Sequence, residues 1–244
     1  MSEAKTSIRI GTSGWYYNHW HGLFYPETIA KHKWFEHYTK HFDTVEINSS
    51  FYHIPKPENV KKWFASSPEN FIYAVKANRF ITHLKKLRNV ESQLTIFLQS
   101  VSHLKEKLGP VLFQLPPSLH KDFSLLKDFL SLLDKKVFGV FEFRHKSWYE
   151  DKCFSLLDDF GSAFCVHDMD GSQTPRVIAS NVIYIRFHGT TGRYAGSYSK
   201  NALADWAAWI KASKKIIACY AYFNNDYRAY AIKNAETLRE LLIG

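Results

Sequence analysis

A chain of 244 residues suits one large domain or one closed α/β barrel, and a hydrophobic share of 45% with 16% aromatics excludes a disordered or low-complexity protein. The formal charge of +9 points either to anionic partners, nucleic acid or phosphorylated small molecules, or to a lysine-rich solvated helical surface. Cys153, Cys165 and Cys219 stand far apart and in no CxxC spacing, which excludes a disulfide framework or a thiolate zinc site and predicts a reduced, cytoplasmic compartment. The short polar N-terminus and the lack of any apolar run near the roughly 18 residues of a membrane span predict a protein neither exported nor embedded in a membrane.

Residues 8–10 read as a first strand running into a tight turn at Gly11, Thr12, Ser13 and Gly14. An aromatic loop follows, and Pro26 suits the first turn of a helix with Ile29, Trp34, Phe35 and Tyr38 on its apolar side. The second strand, Thr44–Ile47, places Val45 and Ile47 on one face and Glu46 and Asn48 on the other. A carboxylate in the body of a strand is costly to bury, so that face is read as the wall of a site. Pro57 opens a helix with Val60, Trp63 and Phe64 inward, and residues 71–76 form the third strand.

Residues 92–108 have helical periodicity through Leu94, Phe97, Leu98, Val101, Leu104 and Leu108, with Gly109 and Pro110 as the stop before a fourth strand at 111–115. Helix 123–133, strand 137–143, a helix at 149–160 capped by Gly161, and strand 163–167 continue the alternation. The connection 168–181 shows only a weak helix. Strands at 182–187 and 216–223, with helices at 201–212 and 226–242, complete the chain. Eight strands separated by mostly helical segments, without a linker, predict an α/β fold: a single TIM-type (β/α)8 barrel over 1–244, irregular between strands six and seven. An open doubly wound sheet is disfavoured, since 11–14 lacks the GxGxxG spacing.

Barrel sites lie at the carboxyl ends of the strands, and these ends are polar almost throughout. They carry Thr12 and Ser13; Glu46 and Asn48; Lys76 and Asn78; Gln114; Glu142 and Arg144; His167 and Asp168; Arg186 and His188; Asn224 and Asn225. Tyr184, Arg186 and His188 share one face of their strand. Glu46 and Glu142 are candidate general acid and base, with His188 as a further catalytic candidate. Candidate ligand-binding residues are Thr12, Trp15, Asn48, Tyr52, Lys76, His83, Gln114, Arg144, Trp148, Asp168, Arg186, Asn224 and Asn225. Lys76, Arg144 and Arg186, with the cation-dense stretch 79–88, would hold phosphate, and aromatics such as Trp15, Tyr52 and Trp148 would stack bases or sugars. The opposing interpretation is that the carboxylates simply pair with Lys76, Arg144 and Arg186, and that the aromatics seal the barrel top. His167, Asp168, His188 and Glu142 follow strand order and no ligand motif, so no metal ligand set is assigned. His32, His37 and His41 are read as surface groups on the first helix.

Six ordered motifs carry a resemblance across essentially the whole chain. They are Gly11 to Trp15; Thr44 to Asn48 with Phe51 and Tyr52; Ala74 to Ala77 with Ile81, Thr82 and His83; Gly109 to Pro117; Glu142 to His145 with Trp148; and Phe223 to Asp226. The sequence resembles the YecE-like family, domain of unknown function 72. The resemblance implies a TIM-type barrel and, by analogy, a relation to barrels such as the endonuclease IV group; it implies no established activity. Two departures stand out. Ala229 occupies a position where the family usually has glycine, which predicts a perturbed helix start, and the His and carboxylate set of the endonuclease metals is not recovered, which argues against metal-dependent phosphodiester cleavage. Three functions follow as expectations: binding of a phosphorylated or nucleic-acid ligand, with or without hydrolysis; a glycosidase-like or sugar-isomerising enzyme using Glu46 and Glu142; or a non-catalytic binding or scaffold protein. Neither a cofactor nor an oligomeric state is readable.

Overall fold

A computed structural model describes residues 6–170, 172–192 and 194–244. The polar N-terminus read above therefore falls largely outside the described residues. The chain has the TIM-type (β/α)8 fold, with eight parallel strands alternating with helical segments. It divides into two compact units, one comprising the described residues of 1–46, 166–174 and 181–244, the other residues 47–165 and 175–180.

In the first unit β1 (Ser7–Thr12) pairs in parallel with β9 (Ala218–Phe223), which pairs with β8 (Val182–Phe187). The helix expected at Pro26 begins later: residues 26–30 form a turn, a 3-10 turn spans Lys31–Lys33, and α1 runs Trp34–His41. Trp34 and Tyr38 are buried as its periodicity requires, and Trp34 stacks on Tyr25 with ring centroids 4.6 Å apart. The weak helix expected at 168–181 is absent among the described residues. Instead β6 (Ala163–Met169) folds back on the two-residue strand β7 (Ser172–Gln173), an antiparallel pairing of Asp168 with Gln173.

After α7 (Lys200–Ala212) and β9, the last helix, α8, begins at Tyr230 and not at 226. A kinked 3-10 segment spans Tyr227–Ala229, and because Arg228 and Ala229 adopt left-handed φ values of 52° and 56° the α-helix starts only after them. Ala229 thus holds a conformation open to glycine without steric cost, at a penalty of about 1 kcal/mol.

In the second unit β3 (Ile72–Lys76), β4 (Leu108–Leu115) and β5 (Gly139–Phe143) pair in parallel, and β5 continues to the first residues of β6. The short β2 (Thr44–Ile47) ends here, followed by the single turn α2 (Ser49–Tyr52) and by α3 (Pro57–Ser66), with its proline at the helix start as expected. The helix stop is a correction. α4 covers Glu91–Val101 and passes into a 3-10 segment, Ser102–Lys107, that turns at Lys105 (φ 50°, ψ −126°), so Leu108, Gly109 and Pro110 belong to β4. Gly109 is needed for close approach, because a Cβ there would lie 2.5 Å from Ile72 Cγ2.

α5 (Phe123–Ser131) is capped by the Asp122 carboxylate, which accepts from the Leu125 N–H at 3.0 Å, and α6 (Asp151–Asp159) closes the unit's helices. Its core is aromatic: Phe113 stacks on Phe141 at 5.3 Å and Phe143 on Trp148 at 4.7 Å. All three cysteines are fully buried, and burial pushes the thiols of Cys153 and Cys219 up to about 12.

Candidate functional site

The polar residues at the strand ends form a distinct cluster in each unit. In the first, β1 runs beside Glu46 through a parallel bridge at Ser13. The alternation of β8 turns Tyr184 and Arg186 to the same face. Glu46 is the point they share. Its Oε1 accepts from Ser13 Oγ at 2.7 Å and from Arg186 Nη2 and Nε at 2.8 and 3.2 Å, while Oε2 accepts from Tyr184 Oη at 2.6 Å. Glu46 and Tyr184 are fully buried and Arg186 is 1% exposed. Burial pushes the Glu46 carboxyl upward, but the Arg186 charge and the hydrogen bonds from Tyr184, Arg186 and Ser13 outweigh it and hold the group below the usual carboxylate range.

Other first-unit candidates divide between supporting and open positions. Thr12 is buried; its Oγ1 donates to the Gly14 carbonyl at 2.6 Å, and its N–H donates to Tyr38 Oη at 3.1 Å. Trp15 is half-buried with its ring 4.9 Å from that of Phe35. His188 is buried, with Nδ1 3.3 Å from Asn224 Nδ2 and its ring 6.2 Å from that of His167. Asp168 accepts from Gln173 Nε2 at 2.9 Å, and its carbonyl accepts the His188 N–H at 2.8 Å. Asn225 is buried and donates to the Gly196 carbonyl and to Asn234 Oδ1, both at 2.9 Å, so it ties the loop after β8 to α8. A pair absent from the sequence reading joins this end of the unit: His19 Nε2 lies 3.1 Å from Asp226 Oδ2. The two are 207 residues apart, and no local pattern announces their meeting.

In the second unit the α2 turn is fastened to the end of β3. Ser50 Oγ donates to the Lys76 carbonyl at 2.6 Å, and Asn78 Nδ2 donates to the carbonyls of Ser50 and Phe51 at 3.0 and 3.2 Å. This anchoring sets Phe51 beneath the Lys76 ammonium, 4.2 Å from its ring centroid, and leaves Tyr52 59% exposed with the Arg79 guanidinium 5.9 Å from its ring. Asn48 stands half-buried just before that turn. His83 lies on a π-helical turn, Phe80–Leu84, edge-on to Phe51 at 4.9 Å and with Nδ1 2.9 Å from Thr82 Oγ1.

Gln114 and Glu142 are register partners on β4 and β5, and Arg144, just beyond β5, forms an ion pair with Glu142. Burial, then Lys76, pushes His83 down to about 4; Arg144 adds to the lowering and Glu142 opposes it. The imidazole is therefore neutral at pH 7. Trp148 is fully buried, donates Nε1–H to the Leu119 carbonyl at 2.8 Å and stacks on Phe143, so its ring belongs to the core and presents no face to a ligand.

Glu46, Arg186, His188, Asp168, Asn224 and Asn225 thus fall in the first unit with Thr12 and Trp15. Lys76, His83, Gln114, Glu142 and Arg144 fall in the second with Asn48, Tyr52 and Trp148. Among the described residues, no three His, Cys, Asp or Glu side chains gather where they could hold a metal ion, and no helix is long and apolar enough to cross a membrane.

A family model described as "Protein of unknown function DUF72" matches residues 9–243. The chain belongs to the DUF72 family. This DUF72 chain is 28% identical to the UPF0759 protein YunF of Bacillus subtilis over 96% of its own length and 94% of the relative's. It is 33% identical to the UPF0759 protein YecE of Escherichia coli over 47% of its length and 42% of that protein's. A DUF72 family protein of Thermotoga maritima shares the fold with a TM-score of 0.88 at 24% identity, covering 98% of this chain and all of the other. One from Enterococcus faecalis follows at 0.83 and 22%, covering 96% and 95%. These likenesses carry the family and the barrel fold.

Proposed function

We propose that the protein binds a phosphorylated ligand, a nucleotide or the phosphate of a nucleic-acid strand, at the carboxyl ends of β3 to β5. The observation that carries this reading is the set of cations presented at the end of β3: the Lys76 ammonium stands 4.2 Å from the Phe51 ring centroid and the Arg79 guanidinium 5.9 Å from that of Tyr52, and His83 is pushed down to about 4 first by burial and then by Lys76. A bound phosphate would answer these charges, with Lys76 as a point charge and Gln114 offering hydrogen bonds, while Arg144, already paired with Glu142, contributes its charge. Tyr52, exposed next to Arg79, supplies a face for a base.

Binding is favoured over bond cleavage because both carboxylates proposed for acid–base work are committed. Glu46 accepts from Ser13, Tyr184 and Arg186, and Glu142 is in an ion pair with Arg144. A general base needs a free lone pair within reach of the substrate proton. The same commitments weigh against the glycosidic alternative.

Calorimetric titration with adenosine monophosphate, inorganic phosphate and phosphate-free adenosine tests the reading. Adenosine monophosphate should bind, adenosine should not, and Lys76→Met should weaken the monophosphate by about tenfold. The His83 imidazole resonances should titrate at higher pH in the complex, since a phosphate stabilises the protonated ring. Equal affinity for adenosine, or indifference to Lys76→Met, would sink the proposal.

A further inference from the structure

The i, i+4 spacing on α1 brings His37 and His41 to one face of that helix. Their ring centroids are 4.9 Å apart with 37° between the planes, and the Phe24 ring meets both edge-on at 5.1 Å, covering one side of the pair. One edge of the His41 imidazole is engaged: its Nδ1 lies 3.3 Å from Glu236 Oε1 on α8. A histidine whose one nitrogen donates to a carboxylate or a carbonyl presents the other as a lone pair, which is the arrangement found behind metal-ligating imidazoles.

We propose that His37 and His41 form a two-histidine site for a first-row transition ion, zinc, nickel or copper(II), with Glu236 orienting His41 and water completing the coordination. Imidazole nitrogen is the donor these ions prefer, and the Phe24 side shields the pair from competing solvent. Two neighbouring cations restrain the affinity. Lys40 is turned toward Glu36 at 3.4 Å, and the Arg239 guanidinium donates to the His41 carbonyl. With two protein ligands and these charges, binding is expected in the micromolar range.

The test uses the full chain without a polyhistidine tag, stripped with chelator and titrated with zinc chloride against a competing indicator at pH 7.5. One equivalent should bind. His41→Ala should lose at least about tenfold in affinity and Glu236→Gln about three- to tenfold, while His103→Ala, on the 3-10 segment Ser102–Lys107, should bind as the parent does. Because His41→Ala could also loosen the α1–α8 packing, the unaltered protein gives a second readout: substoichiometric copper(II) should broaden the His37 and His41 imidazole resonances before those of any other histidine. Zinc affinity unchanged in His41→Ala, no zinc binding up to millimolar concentration, or first broadening at other imidazoles each overturns the site. An unchanged Glu236→Gln overturns the role given to Glu236.

Discussion

Glu46 is a carboxylate with no exposure to water, and a charge so placed costs several kcal/mol unless its partners answer it. Here Ser13, Tyr184 and Arg186 do so, and the pair works as a strut between β2 and β8. Arg186→Met should leave the buried carboxylate without its countercharge, answered only by Ser13 and Tyr184, destabilising the protein by about 3–5 kcal/mol in urea unfolding. The sign of the pH dependence follows from the lowered pKa of Glu46. Its contribution is fully present above the unfolded carboxylate value of about 4.3 and is lost as pH falls through the lower folded value. Below about pH 4.3 the parent should therefore lose stability more steeply than Glu46→Gln, measured as unfolding midpoints across pH; parallel slopes would remove the group from the acid transition.

At the scale of elements, Gly109 shows how a residue type can be read correctly as special and given the wrong reason. Glycine followed by proline after an apolar periodic run is a helix stop by pattern, yet the helix has already turned at Lys105, and Gly109 lies in β4 against Ile72. Gly109→Ala should destabilise by about 1–3 kcal/mol through overpacking, with the urea midpoint shifted and the slope unchanged. Ile72→Ala, which removes the obstructing Cγ2, should recover part of that loss. The alternation of eight strands was legible because apolar runs and turn residues are local signals, as at Thr44–Ile47 and Val182–Phe187. Boundaries set by backbone conformation were less so: Ala229 was marked only through the family resemblance, as a usual glycine position, nothing in the Arg228 side chain announces its left-handed φ, and the β6–β7 hairpin rests on only two paired positions.

For the whole molecule, 32 Lys and Arg against 23 Asp and Glu leave a formal charge of +9. Self-repulsion of this size should make thermal stability rise with salt, by about 1–3 °C between 10 and 150 mM sodium chloride, in a calorimetric scan at pH 7. A fall would mean that attractive pairs such as Arg9–Asp43 outweigh the excess. The candidate site was legible to the extent that strand parity is: Tyr184 and Arg186 share a face by counting, as do Glu142 and Arg144. What counting could not reveal is pairing over distance, since Glu46 meets residues some 140 positions away and His19 meets Asp226 across nearly the whole chain.

The buried cysteines have a practical consequence. Cys153, Cys165 and Cys219 have no exposure, and the two whose thiols are pushed up to about 12 are protonated at neutral pH, so a maleimide meets no reactive sulfur on the native surface. The natural chain therefore serves as its own thiol-silent background. A single cysteine introduced at an exposed position such as Leu84 or Ile217 becomes a unique address for a fluorophore or spin label, through which the response to added adenosine monophosphate or zinc can be tested without first rebuilding the core.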